Sequence, residues 1–238
     1  IILLIAGDFL VRGAVNLALR IGIPALIVSL TIVALGTSAP ELLISIDAVL
    51  NDAPGLALGN VVGSNTANIL LVLGVPAIVS RLHPSGPDTR TSYLTMLAVT
   101  LIFIAACFLG PLTWVHGLLL LAILATILGD QARSALAHRR STKGDDEEDV
   151  EGADPSMRGW KIAVFLILGL IGLPLGADLL VKSSLEIAQR FGVSDSVIGL
   201  TLVAIGTSLP ELATTVMAAV RKQADVALGN VIGSNMFN

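Results

Sequence analysis

Two uninterrupted apolar runs constrain the environment of this chain more strongly than any other feature of its sequence. Residues 93–109 and 111–128 contain no Asp, Glu, Lys or Arg, and each run is close to the roughly 20 residues that cross the hydrocarbon core of a bilayer. Only 13% of the 238 residues are charged and 54% are hydrophobic, whereas soluble domains carry roughly 25% charged residues. The sequence therefore predicts a multi-spanning membrane protein and excludes a soluble enzyme, a nucleic-acid-binding domain and a secreted disulfide scaffold.

Eight hydrophobic segments follow one another along the chain. Continuous apolar runs contradict the short alternating strands of a membrane barrel, and an aromatic content of 4% with 23 glycines favours helices packed closely in lipid. We expect an all-α membrane protein, clipped at both ends because the first and last segments are partial. The segments occupy roughly residues 1–19, 25–50, 56–80, 92–109, 111–130, 160–181, 195–220 and 226–238.

One long connection, residues 131–159, divides the chain into a first half at 1–130 and a truncated second half at 160–238. It carries seven acidic residues between positions 145 and 154. We interpret it as a solvated, self-repelling linker. A regulatory cation sensor is the alternative interpretation, but the acidic run does not have EF-hand spacing.

The basic residues predict how the segments are oriented. Connections that follow odd-numbered segments hold eleven Lys and Arg residues, and those that follow even-numbered segments hold only Lys182 and Arg190. Because cytoplasmic loops are enriched in basic residues, we expect the linker at 131–159 to be cytoplasmic and the protein to lie in the plasma or inner membrane. The eleven residues are Arg20, Arg81, Arg90, Arg133, Arg139, Arg140, Lys143, Arg158, Lys161, Arg221 and Lys222.

An internal repeat relates residues 6–68 to residues 176–238 at a constant offset of 170, with 26 identities in 63 positions. Shared apolar composition does not explain so many identities. Five segments separate the copies, so the second copy enters the membrane from the opposite side, as in the inverted repeats of secondary transporters. Counterparts of residues 69–130 would occupy about 239–300, which predicts ten segments in the intact protein. The alternative is a pair of duplicated scaffold helices without transport function.

The first group of identities is GTSAPE at 36–41, matched by GTSLPE at 206–211. Pro40 has no N–H, so the carbonyl of Gly36 loses its helical donor and the carbonyl of Thr37 is loosened. Unbonded carbonyls at membrane depth are tolerated where they line a cavity or bind a ligand. Helical spacing places the carboxylate of Glu41 on the same face as Thr37 and Ser38. Inversion brings the second copy to face this turn, with Gly206, Thr207, Ser208, Pro210 and Glu211.

The two glutamates suggest the chemistry of the site. Facing carboxylates at Glu41 and Glu211 would repel, and at least one would stay protonated unless a cation separated them. Ca²⁺ supplies two positive charges and accepts about 6–8 oxygen ligands, so two Glu, freed Thr carbonyls and water make a plausible cage. The absence of Cys or His nearby in the sequence argues against zinc or copper. The alternative is a pair of protonated structural glutamates bonded to neighbouring helices.

The second group of identities, GNVVGSNTAN at 59–68 and GNVIGSNMFN at 229–238, forms a polar stripe. Asn60, Ser64 and Asn68 recur every four residues and therefore share one helix face. Ser64 and Asn68 offer neutral oxygens that suit Na⁺ as well as Ca²⁺. Hydrogen bonding between helices is the alternative role, above all for Asn60 and Asn65. The counterparts in the second copy are Asn230, Ser234, Asn235 and Asn238.

A further pair of counterparts, Asp8 and Asp178, lies in the helix that precedes each glutamate-bearing segment. We expect each aspartate to cap a helix or to bond a neighbouring helix, and a role in gating ions is the alternative.

The paired motifs resemble the alpha repeats of the cation/calcium exchanger superfamily, and the chain is most similar to the prokaryotic sodium/calcium exchangers. The resemblance implies ten transmembrane helices, about eight of them in this sequence, and alternating access in which the first and sixth helices slide across a static core. It implies a calcium site formed by Glu41, Glu211 and the backbone oxygens of Thr37 and Thr207. The sodium sites that it implies share both Glu and add Ser38, Ser64, Ser208, Ser234 and the carbonyls of Ala34 and Ala204, with Asn68 and Asn238 as central polar positions.

The expected function is a secondary antiporter that exchanges Na⁺ for Ca²⁺. A proton/calcium exchanger of the same fold is the first alternative, but such relatives usually carry an acidic residue where this chain has Ser64 and Ser234. A cation channel fits less well, because inverted repeats around occluding carboxylates suit alternating access. Potassium involvement stays open, since some relatives carry Asp at the position of Asn238. The expected partners are the lipid bilayer and the transported cations, with no cofactor, nucleic acid or protein partner.

Overall fold

The computed structural model describes residues 1–83, 87–141, 154, 156–191 and 206–238. Five of the helices in these ranges are long and apolar enough to cross a membrane, or six if the bent pair α2–α3 is one span. The prediction of an all-α, multi-spanning membrane protein is therefore confirmed. The helices are α1 (Ile2–Ile21), α2 (Ala25–Thr37), α3 (Ala39–Leu50), α4 (Pro54–Val79), α5 (Pro87–Phe108), α6 (Trp114–Ser141), α7 (Gly159–Arg190), α8 (Leu209–Val220) and α9 (Ala224–Phe237).

Helix boundaries agree with the predicted segments to within a few residues, except where α6 and α7 run longer. Helix α6 continues to Ser141, past its predicted end at 130, because residues 131–141 are rich in Ala, Leu, Arg and Gln, which favour helix. Helix α7 continues from the predicted end at 181 to Arg190. Residues 142–153 and 155 of the predicted linker, and the predicted segment at 195–220 as far as residue 205, lie outside the described residues.

Helices α1 and α7 pack against each other in antiparallel directions through small residues. A Cβ added at Gly172 would lie 2.9 Å from the Cβ of Ala6, and one added at Gly169 would lie 2.6 Å from the Cβ of Leu10. Residue numbers fall along α1 as they rise along α7, so the two helices run in opposite directions. Because they are counterparts in the repeat, the second copy is inverted relative to the first, and glycine allows the close approach.

The end of the linker contacts the C-terminal end of α1. The backbone N–H of Asp154 donates to Oδ1 of Asn16 at 2.8 Å, and Nη1 of Arg20 donates to the carbonyl of Met157 at 3.4 Å. The last turn of α1, the start of α7 and the end of the linker therefore lie on one face of the protein.

Helix α1 also packs on the second copy through α8. A Cβ at Gly7 would lie 2.9 Å from the carbonyl oxygen of Ala213. The next residue, Asp8, pairs with Arg12 at 2.9 Å and with Arg221, which follows α8. Asp8 thus bonds a neighbouring helix end, whereas its counterpart Asp178 pairs at 2.8 Å with Lys182 of its own helix.

Helix α9 lies against α2 and carries half of the second polar stripe into the core. A Cβ added at Gly233 would lie 2.5 Å from the carbonyl oxygen of Leu30 and 2.5 Å from the Cβ of Ala34. These contacts are too short for a side chain, and one of them is with backbone that cannot move independently. Gly233 therefore sets the distance between α9 and α2.

We expect Gly233→Ala to lower the free energy of unfolding by about 2 kcal/mol, because the added methyl forces α2 and α9 apart. This corresponds to a fall in Tm of about 4–8 °C for a chain of this size, measured by tryptophan fluorescence in detergent. Gly129→Ala in α6 is the matched control, since no described atom lies within 4 Å of its added Cβ. Equal Tm values for the two variants would contradict the packing of α9 on α2.

Candidate functional site

In each copy of the repeat, a serine with non-helical backbone precedes the helix that carries the glutamate. Ser38 has φ −83° and ψ 2°, and Ser208 has φ −87° and ψ 5°, so both leave the helical conformation in the same way. At the first break, the axes of α2 and α3 differ by 44°. Pro40 and Pro210 lie in the first turns of α3 and α8, where the absence of an N–H is tolerated.

The break leaves the Gly36 carbonyl of the first motif without its helical donor. The N–H of Ser38 donates to the Ala34 carbonyl at 2.9 Å, and the N–H of Leu42 donates to the Ser38 carbonyl at 3.1 Å. Between these two bonds, Pro40 has no N–H to donate to the carbonyl of Gly36. The turn therefore presents this carbonyl oxygen as well as side chains.

Both glutamates are buried at the starts of helices. Glu41 is 2% exposed and Glu211 is 0% exposed, and each lies in the first turn of its helix, where the helix dipole favours a carboxylate. The hydroxyl of Ser38 donates to Oε1 of Glu211 at 3.2 Å, which joins the first copy to the second. Because the helix that carries Glu41 starts directly after Ser38, this bond brings the starts of α3 and α8 together. The two carboxylates therefore belong to one site.

Several buried side-chain oxygen atoms have no hydrogen-bond partner among the described residues. Such atoms are uncommon, because most buried polar groups are hydrogen-bonded. One of them, Oε1 of Gln131, lies outside the two repeated motifs, and the other six belong to residues of the motifs. They are both carboxylate oxygens of Glu41, Oε2 of Glu211, Oδ1 of Asn68, and the hydroxyls of Ser208 and Ser234.

Asn60 and Asn230 fix the polar stripe of each copy against its glutamate-bearing helix. Nδ2 of Asn60 donates to the Glu41 carbonyl at 3.0 Å and to the hydroxyl of Ser45 at 2.9 Å. Nδ2 of Asn230 donates to the Glu211 carbonyl at 3.3 Å and to the hydroxyl of Thr215 at 3.1 Å. Because Ser64 and Ser234 lie one turn after these asparagines, the bonds set the height of each serine beside its glutamate.

The alternative role considered for Asn60, hydrogen bonding between helices, is therefore the one that the structure shows. Sequence reasoning missed Ser45 and Thr215 altogether. The available signal was that both are hydroxyl residues at counterpart positions, one turn after the glutamates.

Thr37 links the two copies through its side chain. Its hydroxyl lies 3.1 Å from Oδ1 of Asn230 and 3.3 Å from the carbonyl of Ala34. The Ala34 carbonyl accepts from the N–H of Ser38 at 2.9 Å, and the single hydroxyl proton of Thr37 can be donated either to this carbonyl or to Asn230.

The remaining predicted positions differ in burial. Ser64 is 3% exposed, whereas Thr207 and Asn238 are half-buried, and Ala204 lies outside the described residues. Gly36 and Gly206 permit close packing: a Cβ at Gly36 would lie 2.1 Å from Leu170, and one at Gly206 would lie 2.5 Å from Val181.

The arrangement suits a hard cation. Within the described ranges, no cluster of three or more His, Cys, Asp or Glu side chains forms a metal site. The polar groups of the site are two carboxylates and several neutral oxygens. Ca²⁺ and Na⁺ prefer such oxygen ligands over soft donors.

Comparison with known proteins decides the family. Residues 1–129 and 161–238 match the family described as sodium/calcium exchanger protein. The chain belongs to this family. It is 33% identical over 269 residues to sodium/calcium exchanger MaX1 of Methanosarcina acetivorans, covering 97% of this chain and 75% of that protein. It is 36% identical over 236 residues to inner membrane protein YrbG of Escherichia coli, covering 98% of this chain and 72% of that protein.

The fold is also that of a solved exchanger. The structure of the sodium/calcium exchanger from Methanococcus jannaschii superposes with a TM-score of 0.82 at 34% identity, covering 99% of this chain and 73% of that one. These matches confirm the helical exchanger fold and identify the protein as a cation/Ca²⁺ exchanger, a transporter in a membrane.

We expect Asn230→Leu to destabilise the protein more than Asn60→Leu. Asn230 is fully buried and bonds Thr37, Glu211 and Thr215, whereas Asn60 is only half-buried. Losing three bonds of about 0.6 kcal/mol each in a membrane protein amounts to roughly 2 kcal/mol, or a fall in Tm of about 4–8 °C. Thermal melting in detergent measures the Tm of both variants. A larger fall in Tm for Asn60→Leu would contradict the three hydrogen bonds assigned to Asn230.

Proposed function

We propose that this exchanger is an antiporter that uses the sodium gradient to move Ca²⁺ across the membrane by alternating access. The observation that carries the proposal is the group of buried oxygens without partners, drawn from both inverted copies. Two carboxylates supply at most two negative charges, which one Ca²⁺ balances. MaX1 and the Methanococcus jannaschii protein are both named sodium/calcium exchangers, which supports the same choice.

Shared ligands explain how two cations become coupled. In our proposal Ca²⁺ binds Glu41, Glu211 and the backbone oxygens of Thr37 and Thr207. Sodium ions use the same two Glu together with neutral oxygens, so one cation species has to leave before the other is fully coordinated. A bound cation shifts the equilibrium between two conformations only if it binds them with different affinities. The neutral oxygens are those of Ser38, Ser64, Ser208, Ser234, Ala34 and Ala204, with Asn68 and Asn238 beside them.

Sodium is preferred over protons because the neutral positions carry no titratable group. Ser64 and Ser234 are 3% and 0% exposed, and a hydroxyl at each place offers an oxygen to Na⁺ but no proton to exchange at physiological pH. Among the described residues of the site, only Glu41 and Glu211 can titrate. A proton-coupled exchanger of the same fold is the second candidate.

We expect Glu41→Gln and Glu211→Gln to reduce exchange to background, because the amide keeps the side-chain shape but removes one of the two charges that balance Ca²⁺. Sodium-driven ⁴⁵Ca²⁺ uptake into proteoliposomes measures the effect, and an unchanged elution profile shows that the protein still folds. Asp47→Asn is the matched control: Asp47 is an exposed acid on the same helix, bonded to Asn51. Robust uptake by either Gln variant would refute the shared site.

The counter-ion is tested with the same vesicles. We expect Ca²⁺ uptake when sodium is inside, undiminished by a protonophore at clamped membrane potential, and no uptake with a pH gradient alone. Uptake driven by the pH gradient would favour the proton-coupled candidate, and Ca²⁺ entry without any counter-ion would indicate a channel. Replacing potassium by choline should leave the flux unchanged, because Asn238 adds no third carboxylate to the site.

We further propose that the protein lies in the plasma or inner membrane with the linker at 131–159 in the cytoplasm. The excess of basic residues on that side supports the orientation, and the relative from Escherichia coli is named an inner membrane protein.

A cysteine accessibility experiment tests this orientation. In a Cys107→Ser background, which removes the exposed native thiol, Ser141→Cys should resist impermeant thiol reagents added to intact cells. Thr113→Cys, between α5 and α6, should label readily, because that exposed connection lies at the other end of α6. The opposite labelling pattern would reverse the orientation.

A further inference from the structure

Four asparagines join α4 to α9 where the two copies of the repeat meet. Nδ2 of Asn68 donates to Oδ1 of Asn235 at 2.9 Å, and Nδ2 of Asn238 donates to Oδ1 of Asn65 at 3.2 Å. Asn65 and Asn235 are counterparts in the repeat, as are Asn68 and Asn238, so each bond is the twofold-related copy of the other. A reciprocal contact of this kind is what a twofold axis produces.

The direction of these bonds determines which atom of each asparagine amide is not bonded to the opposite copy. An asparagine amide has two donors on nitrogen and two acceptor sites on oxygen. Because Nδ2 of Asn68 is bonded to the opposite copy, its Oδ1 points away from Asn235. That oxygen is buried and has no partner among the described residues, and Asn68 as a whole is 1% exposed. It belongs to the same group of unpartnered oxygens as Glu41.

The two accepting asparagines, Asn65 and Asn235, are themselves oriented by hydrogen bonds to backbone carbonyls of the opposite copy. Nδ2 of Asn65 donates to the carbonyl of Asn235 at 3.5 Å, and Nδ2 of Asn235 donates to the carbonyl of Asn65 at 3.5 Å. These long bonds direct each nitrogen to backbone and leave each Oδ1 for the neighbouring asparagine. The chain of four amides therefore has one consistent arrangement of donors and acceptors.

We propose that Asn65 and Asn235 are positioning residues that hold the amides of Asn238 and Asn68 with oxygen, and not NH₂, towards the transported cation. This inference rests on the proposed function, since it concerns the same site. A 180° turn of an amide exchanges oxygen for NH₂ without changing its volume, so packing alone cannot select the orientation. Only an acceptor on the nitrogen side distinguishes the two, and a turned amide would place positively polarised N–H groups against the cation.

The variant Asn235→Leu tests the role of the acceptor. Leucine is close to asparagine in size but accepts no hydrogen bond, so the amide of Asn68 is free to turn. We expect the Ca²⁺ concentration that half-saturates exchange to rise about tenfold, the scale of one lost polar ligand, with the maximal rate within about twofold of wild type. Asn235→Asp keeps an acceptor oxygen, and its half-saturating concentration should stay within about threefold of wild type.

A rescue experiment separates positioning from structural support. In the Asn235→Leu background, Asn68→Asp presents an oxygen whichever way the side chain turns, so it should recover most of the lost Ca²⁺ affinity and improve that affinity more than the same change does in the wild type, where it only adds a charge. A purely structural role for Asn235 predicts a lower Tm and maximal rate with unchanged half-saturation, and no recovery. Asn51→Leu, at an exposed asparagine bonded to Asp47, controls for loss of an asparagine elsewhere.

The counterpart variant Asn65→Leu covers the case in which Asn235→Leu does not fold. Asn65 is half-buried and acts on Asn238, so the same rise in half-saturating Ca²⁺ is expected. Unchanged half-saturation in a folded leucine variant, or no recovery on adding Asn68→Asp, overturns the positioning role while wild-type exchange remains. Absence of sodium-driven uptake in the wild type would instead refute the proposed function.

Discussion

The carboxylates of Glu41 and Glu211 have to be kept from both water and lipid without leaving their charge uncompensated. An ionised side chain at the centre of a bilayer costs several kcal/mol, and these two are 2% and 0% exposed. The helix starts and, for Glu211, the hydroxyl of Ser38 offset part of that cost. In the function that we propose, a cation at the carboxylate oxygens without partners offsets the rest. The cation that balances the buried charge is then the cation that is transported.

The inverted repeat meets this requirement by giving each copy half of the site. Ser38 of the first copy donates to Glu211 of the second, and Thr37 bonds Asn230 of the second. Within each copy, an asparagine fixes the serine stripe beside its own glutamate. In the site that we propose, neither copy supplies all the ligands alone, so movement of one copy against the other would change the coordination of the cation. Such a change in affinity between conformations is what alternating access needs.

Close helix packing makes this arrangement possible. Gly233 brings α9 against α2, and Gly169 and Gly172 bring α7 against α1. In lipid there is little hydrophobic driving force between helices, so contact at small residues and bonds between polar side chains hold them together. The pair between Asp8 and Arg221 adds an ionic link between α1 and the end of α8.

The sequence by itself determined the membrane class, the repeat and most of the motif residues. The length of the apolar runs, the repeat at an offset of 170 and the proline before each glutamate can all be read directly from the order of the residues. Only the tertiary structure decided what the polar side chains do. Spacing puts Asn60, Ser64 and Asn68 on one face, yet it cannot show that Asn60 bonds the Glu41 carbonyl or that Asn68 bonds Asn235. The first bond depends on how closely α3 and α4 pack within one copy, and the second on amide orientation across the two copies, neither of which a local pattern encodes.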